Sequence, residues 1–201
     1  MGSYYHLASQ LPYLVFGQKP PMTSAAFILL AKSLLNQTDA ALIDLIALDP
    51  EPVQPGDEGV SYANSRSTGS DFIDGWRDWE RALRLNMARQ RAIKIKRDSG
   101  APVEPPMFPT DAAALAVKAI SAESPLEGEM LIDRARWSAI EVMQGGDNFH
   151  RNTVYAYLLK LLLLERQEKF NAKEGFDEYK SLYASIMEGV QSGISPVGEP
   201  K

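Results

Sequence analysis

Apolar positions are densest between Asn152 and Phe170, where ten of the eleven residues from Val154 to Leu164 are apolar and only Lys160 interrupts them. At helical periodicity this run has no wide polar face, and a helix that is apolar all round is a buried one. It is shorter than the roughly 20 apolar residues that a membrane span needs, and Glu165-Arg166-Gln167-Glu168-Lys169 follows at once. The pattern predicts a central core helix, opened at Asp147 or Asn148 and ended by Gly175, with the rest of the chain packed around it.

The flanking pattern is helical too. Tyr4 to Phe16 mixes aromatic and aliphatic residues around Pro12, and Gly17-Gln18-Lys19-Pro20-Pro21 then breaks any regular element, so an extended or short helical start is expected. Thr23 or Ser24 can cap a helix through Leu35. Thr38 with Asp39 can open a second through Leu48, giving a helical hairpin. From Asp49 to Ser70 the chain turns to Pro, Gly, Ser, Asp and Asn, the composition of a flexible loop.

Ser70 then caps a third helix to about Lys96, with a core stripe of Phe72, Trp76, Trp79, Leu83 and Met87. A breaker over 99–109 precedes an Ala-rich helix from Thr110-Asp111 to about Ala122. Ser124-Pro125-Leu126-Glu127 matches a capping box with Pro at the first helical position. The helix it opens carries Met130, Leu131, Ala135, Trp137, Ile140 and Val142 and stops at Gln144-Gly145-Gly146. A last helix from Phe176 to about Val190 follows the central one, and the tail from Ser192 reads as disordered. No segment alternates cleanly as a strand. The expected fold is all-α, a bundle of about seven helices in one domain over 1–201: hairpin 23–48, loop 49–70, helical core 70–190, tail 192–201.

Composition adds limits. The chain has 201 residues, 45% of them apolar, which suits one sizeable globular domain. It has no cysteine, so disulfides, thiolate metal sites and a cysteine nucleophile are excluded. The start lacks a basic region followed by an apolar run, and a cytoplasmic location is expected. The net charge of −5 hides an asymmetry. From Arg77 to Arg97 eight basic residues face Asp78 and Glu80, a local +6 that leaves −11 for the remainder. Helix electrostatics accounts for the acidic start and basic end of this segment and for the Glu80–Arg84 spacing, but it leaves Arg89 and Arg91 unneeded. A docking face formed by Arg77, Arg81, Arg84, Arg89 and Arg91 is the functional reading. A protein partner is favoured over nucleic acid, because no nucleic-acid motif accompanies the patch.

Catalytic signatures are missing from the sequence. His6 and His150 lack a second His or a paired carboxylate at a metal-binding helical spacing. Gly17-Gln18-Lys19-Pro20 lacks the second Gly and the Lys-Ser/Thr pair of a phosphate loop, and Gly189 to Gly193 has the wrong spacing for a nucleophile elbow. Glu127, Glu129, Glu141, Glu165 and Glu168 are carboxylates of the kind that line di-metal bundles, but no Glu-x-x-His accompanies them. Asn36-Gln37-Thr38 reads as a turn and cap in preference to a glycosylation site. Neither catalytic residue, metal nor cofactor is expected. Glu165 and Arg166, at the edge of the apolar run, either end it by meeting solvent or make a partly buried ion pair with a partner.

Two stretches carry a resemblance. Tyr4-Tyr5-His6-Leu7-Ala8-Ser9-Gln10-Leu11-Pro12 with Gly17-Gln18-Lys19-Pro20-Pro21-Met22, and Tyr155-Ala156-Tyr157-Leu158-Leu159-Lys160-Leu161-Leu162-Leu163-Leu164-Glu165-Arg166, resemble a bacterial family encoded within V-type ATPase operons. In some of these operons a member takes the place of the C (d) subunit, the helical socket between the rotating central stalk and the membrane ring. Ala156-Tyr157-Leu158-Leu159 with Glu165-Arg166 is similar to a pattern in that subunit, although the spacing differs and this chain is shorter. The resemblance implies a non-catalytic subunit or assembly factor, peripherally bound at the inner face of the membrane, with stalk and ring subunits as partners. The alternative is a basic-helix module for nucleic acid or another acidic partner.

Overall fold

The computed structural model describes residues 4–48, 67–100, 102, 103, 105 and 111–169. They form an all-α multi-helix bundle of seven helices: α1 (Tyr5–Gln10), α2 (Ser24–Leu34), α3 (Gln37–Ile43), α4 (Asp71–Lys94), α5 (Ala112–Ser121), α6 (Pro125–Gln144) and α7, helical from 151 to 169. No strand occurs among the described residues. The predicted helix from Phe176 to Val190, the tail from Ser192 and most of the predicted loop (49–66) lie outside them.

α7 is the helix that the apolar run predicts. Every residue from Val154 to Leu159 is buried, as are Leu161, Leu163 and Leu164. Its neighbours explain why no face could be polar. Tyr157 packs against Phe27 of α2 and donates to the Pro12 carbonyl oxygen (2.9 Å), while Tyr155 lies against Phe72 of α4 and donates to the carbonyl of Asp39 on α3. Lys160, the one charge in the run, sits over the Trp137 ring of α6 (4.9 Å) and pairs with Glu141 (3.2 Å). A cation over an indole face keeps both its attraction and its route to water. Each fully buried Leu contributes on the order of 1.5–3 kcal/mol.

Helix starts follow local chemistry, with several departures from expectation. Thr23 caps α2 by accepting from the Ala26 amide (3.2 Å), and Asp111 caps α5 through the Ala114 amide (2.8 Å). Ser124 accepts from the Glu127 amide (3.1 Å), while Glu127 reaches back to the Glu123 amide, one residue before the usual box partner. At α4 the expected Ser70 cap is replaced. The Ser70 hydroxyl makes no cap bond, and the Asp74 carboxylate instead collects the Thr68 amide and the Ser67 and Thr68 hydroxyls. α7 starts at 151, later than Asp147 or Asn148. Asp147 is committed to a turn in which its carboxylate accepts from the Phe149 amide (2.9 Å) and its carbonyl from the Thr153 hydroxyl (2.9 Å).

Two further corrections concern length and facing. α3 starts at Gln37 behind an Asn36 cap and ends at Ile43, short of the expected Leu48. The carbonyls just beyond it are taken by α4: Leu45 accepts from Arg77 (3.2 Å) and Ala47 from the Trp76 indole (2.9 Å). On α6 the buried face is Gly128, Ile132, Asp133, Arg136, Ala139, Ile140 and Met143. Of the residues the apolar pattern picked, Ile140 is buried and Ala135 and Trp137 are partly so, but Met130, Leu131 and Val142 are exposed. Two charged residues occupy core-facing positions, which displaced the reading of that face.

α5 packs against both α4 and α6. At Gly128 the approach is so close that an added Cβ would lie 2.7 Å from the backbone oxygen of Ala119. Replacing a mid-helix Gly with Ala ordinarily stabilises by about 0.5–1 kcal/mol. Here Gly128→Ala is expected to lower the thermal midpoint, because the obstacle is backbone and cannot rotate away. A raised midpoint by circular dichroism would contradict the close packing.

Candidate docking surface

The residues singled out from the sequence do not form one site. Arg77 spends its guanidinium on the Leu45 carbonyl. Arg81 forks onto Asp78 (2.6 and 3.0 Å) and is nearly buried. Arg84 meets Glu80 at 3.3 Å, four residues back on α4. Both readings of the end of the apolar run involve charge, and the structure resolves them toward pairing inside the chain. Glu165 accepts from the Ser24 amide (2.6 Å) and hydroxyl (2.8 Å). It thus places a carboxylate at the positive end of α2, where free amides need acceptors. Arg166 bonds Asp133 (2.7 Å) and Glu129.

Arg166 belongs to a network that sequence reasoning missed. Glu80 is fully buried and faces Arg136 of α6 at 2.5 Å through Nε and 3.2 Å through Nη2. Arg136 also donates to Asp133 (3.1 Å), and Gln167 of α7 reaches the same carboxylate (3.4 Å). Burial raises the Asp133 pKa against the pull of Arg166 and Arg136. Burial would lower that of Arg136, but the bond and charge of Glu80, with Asp133 beside them, hold it above its usual value. Signals for this network were present. Glu80 falls between Trp76 and Leu83 on the core stripe of α4, and Arg136 shares the α6 face with Ile132, Ile140 and Met143.

A second buried cluster ties the chain start to α3 and α7. Tyr4 donates to Asp39, Asn36 donates to the Tyr4 hydroxyl (2.8 Å), and Arg151 meets Asp39 at 3.3 Å. Burial raises the Asp39 pKa, but bonds from Tyr4, Arg151 and Asn36 together hold it below the ordinary carboxylate value. Burial and then Asp39 push the Tyr4 phenol up to about 12, and burial also raises Tyr155. These phenols stay protonated at neutral pH, so they act as donors that fix the fold and not as bases. Asn36, the first residue of the sequon, is engaged as the α3 cap.

Elsewhere the chemistry is sparse. An open groove of about 550 Å³ is lined by residues 19–23 with Glu165, Glu168 and Lys169. Its Lys19–Glu168 pair (3.4 Å) is exposed. Among the described residues no group of three or more His, Asp or Glu could hold a metal ion, and no helix is long and apolar enough to cross a membrane. His6 and His150 make local hydrogen bonds, with Gln10 and with the Asn152 amide.

What remains is the far end of α4. Its last buried residue is Asn86, and beyond it the helix carries Arg89, Arg91, Lys94, then Lys96 and Arg97 in the turn. Lys94 donates to the Ile120 carbonyl (3.3 Å) and so caps the end of α5. Arg89, Arg91, Lys96 and Arg97 make no ion pair among the described residues. Between them Ile93 and Ile95 are 50% and 60% exposed, which makes this a mixed basic and apolar surface. Comparison of the chain with protein-family profiles, with curated proteins and with solved structures gave no match.

The tyrosine cluster carries a pH dependence. A phenol whose folded pKa lies above its unfolded value of about 10 stabilises the fold fully below pH 10 and ceases to do so as pH rises through about 12. Tyr4→Phe is expected to cost about 1.5–3 kcal/mol in urea unfolding at pH 7, the range for a hydrogen bond to a charged group. It should also lose less stability than the wild type between about pH 10 and 12. Parallel losses in the two proteins would remove Tyr4 from the account.

Proposed function

We propose that this chain is a non-catalytic docking subunit or assembly factor of a bacterial V-type ATPase, working by rigid attachment between the central stalk and the membrane ring. The identification of partners rests on the resemblance of the Tyr4–Met22 and Tyr155–Arg166 stretches to the family encoded in those operons. The single structural observation that supports a docking role is the sorting of charge. Arg77, Arg81, Arg84, Glu165 and Arg166 contact groups inside the chain, whereas the partly buried Arg89 and the exposed Arg91 make no ion pair among the described residues.

On this reading the contact face narrows from the whole basic helix to its last turns. Acidic residues of a stalk or ring-loop surface would complement it, and charge complementarity there sets orientation and association rate more than affinity. The interior gives the rigidity that coupling needs. α7 touches α2, α3, α4 and α6, so a load applied at one end of α4 is carried by packed side chains throughout the bundle. Peripheral attachment at the inner face of the membrane follows from the ring as partner.

Affinity purification of the tagged chain from gently solubilised membranes tests the proposal. Stalk or ring subunits of the ATPase should be recovered in stoichiometric amount, and their absence would sink it. Arg89→Glu with Arg91→Glu should weaken that association roughly tenfold or more while the helical circular dichroism is unchanged. Unchanged association would remove this face from the proposal. Preferential recovery of nucleic acid, released steeply by salt, would favour the basic-helix alternative.

A further inference from the structure

The turn that ends α4 is built against the conformational preference of its residue. The Arg97 amide donates to the Ala92 carbonyl (2.9 Å) and the Lys96 amide to that of Ile93 (3.0 Å), the paired bonds of a Schellman motif. That motif places its central residue in the left-handed region, and Lys96 stands there with φ of 56°. Gly17, Gly69, Gly100 and Gly145 occupy every other positive-φ position among the described residues. A side chain with a Cβ is disfavoured in this conformation, and Gly or Asn is the usual occupant.

The helix end does not need this lysine. Arg91 and Lys94 already place positive charge in the last turn of α4, opposite its dipole. Strain of this kind concentrates where a side chain has a task. The neighbours indicate which one. Successive residues turn by about 100° around a helix, so Arg89 with Ile93 forms one couple and Arg91 with Ile95 another, about 200° apart. No flat surface meets both couples at once. A concave surface gripping the helix end from two sides does, with Lys96 at its tip.

Building on the proposed docking role, we propose that Lys96 is a partner-binding residue, and that the end of α4 seats in a concave, carboxylate-lined surface of a partner protein with Ile93 and Ile95 as apolar anchors. Lys96→Gly keeps the turn and removes the charge, so stability and binding should move in opposite directions. The thermal midpoint should rise by about 2–4 °C. Binding of a labelled peptide of glutamates with interspersed leucines, followed by fluorescence anisotropy at low salt, should weaken about two- to fivefold. Lys96→Arg should retain the wild-type affinity. The peptide probe does not involve the ATPase, so failure to recover ATPase subunits and failure of this inference are separate results. A lowered midpoint for Lys96→Gly would show that the lysine serves the helix end. Unchanged peptide affinity, or wild-type preference for phosphatidylglycerol vesicles over the peptide, would equally overturn the inference.

Discussion

A carboxylate removed wholly from water needs a cation that keeps its charge, and Glu80 has one in Arg136. This pair crosses from α4 to α6, and through Asp133 and Arg166 it continues to α7. Apolar surfaces alone can slide against one another at modest cost, but a slip here would leave a buried charge unpaired, which typically costs about 3–5 kcal/mol. The network therefore fixes the register of the three longest helices. It also decides which arginines remain for other work. Arg84 and Arg166 are held by Glu80 and Asp133, while Arg89, Arg91, Lys96 and Arg97 at the end of α4 make no ion pair among the described residues.

The interior divides between this network and the apolar body of α7. Ridges of Leu and Tyr supply most of the burial, and polar contacts mark its edges. Tyr155 and Arg151 meet Asp39 near one end, Lys160 meets Glu141 and Trp137 midway, and Glu165 and Arg166 meet Ser24 and Asp133 at the other. Each of these charges satisfies another element's need. Glu165 is the clearest case, since the same carboxylate that ends the apolar run completes the start of α2, far away in sequence.

Helix identity was legible because it depends on local spacing: the apolar run of α7, the Thr23, Asp111 and Ser124 caps and the Gly145 stop all act over a few residues. What could not be read depends on partners distant in the chain. α3 ends at Ile43 and the Leu45 and Ala47 carbonyls beyond it bond to Arg77 and Trp76 of α4, while Asp133 and Arg136 on the buried face of α6 look like solvated residues until Glu80 is brought beside them. The basic segment shows the same divide. Its charge was plain in the sequence, but which arginines are spent internally was not, and the left-handed Lys96 has no signature in a sequence where Gly would have marked the turn.

The account places a buried, obligatory ion pair between α4 and α6, and a double-mutant cycle on Glu80 and Arg136 measures it most directly. Urea unfolding of Glu80→Leu, Arg136→Met and the double variant would give the coupling energy. Each single variant should lose about 3–5 kcal/mol, and the double variant should recover most of one of those losses, because it strands no charge. Single losses that simply add, with coupling near zero, would contradict the account.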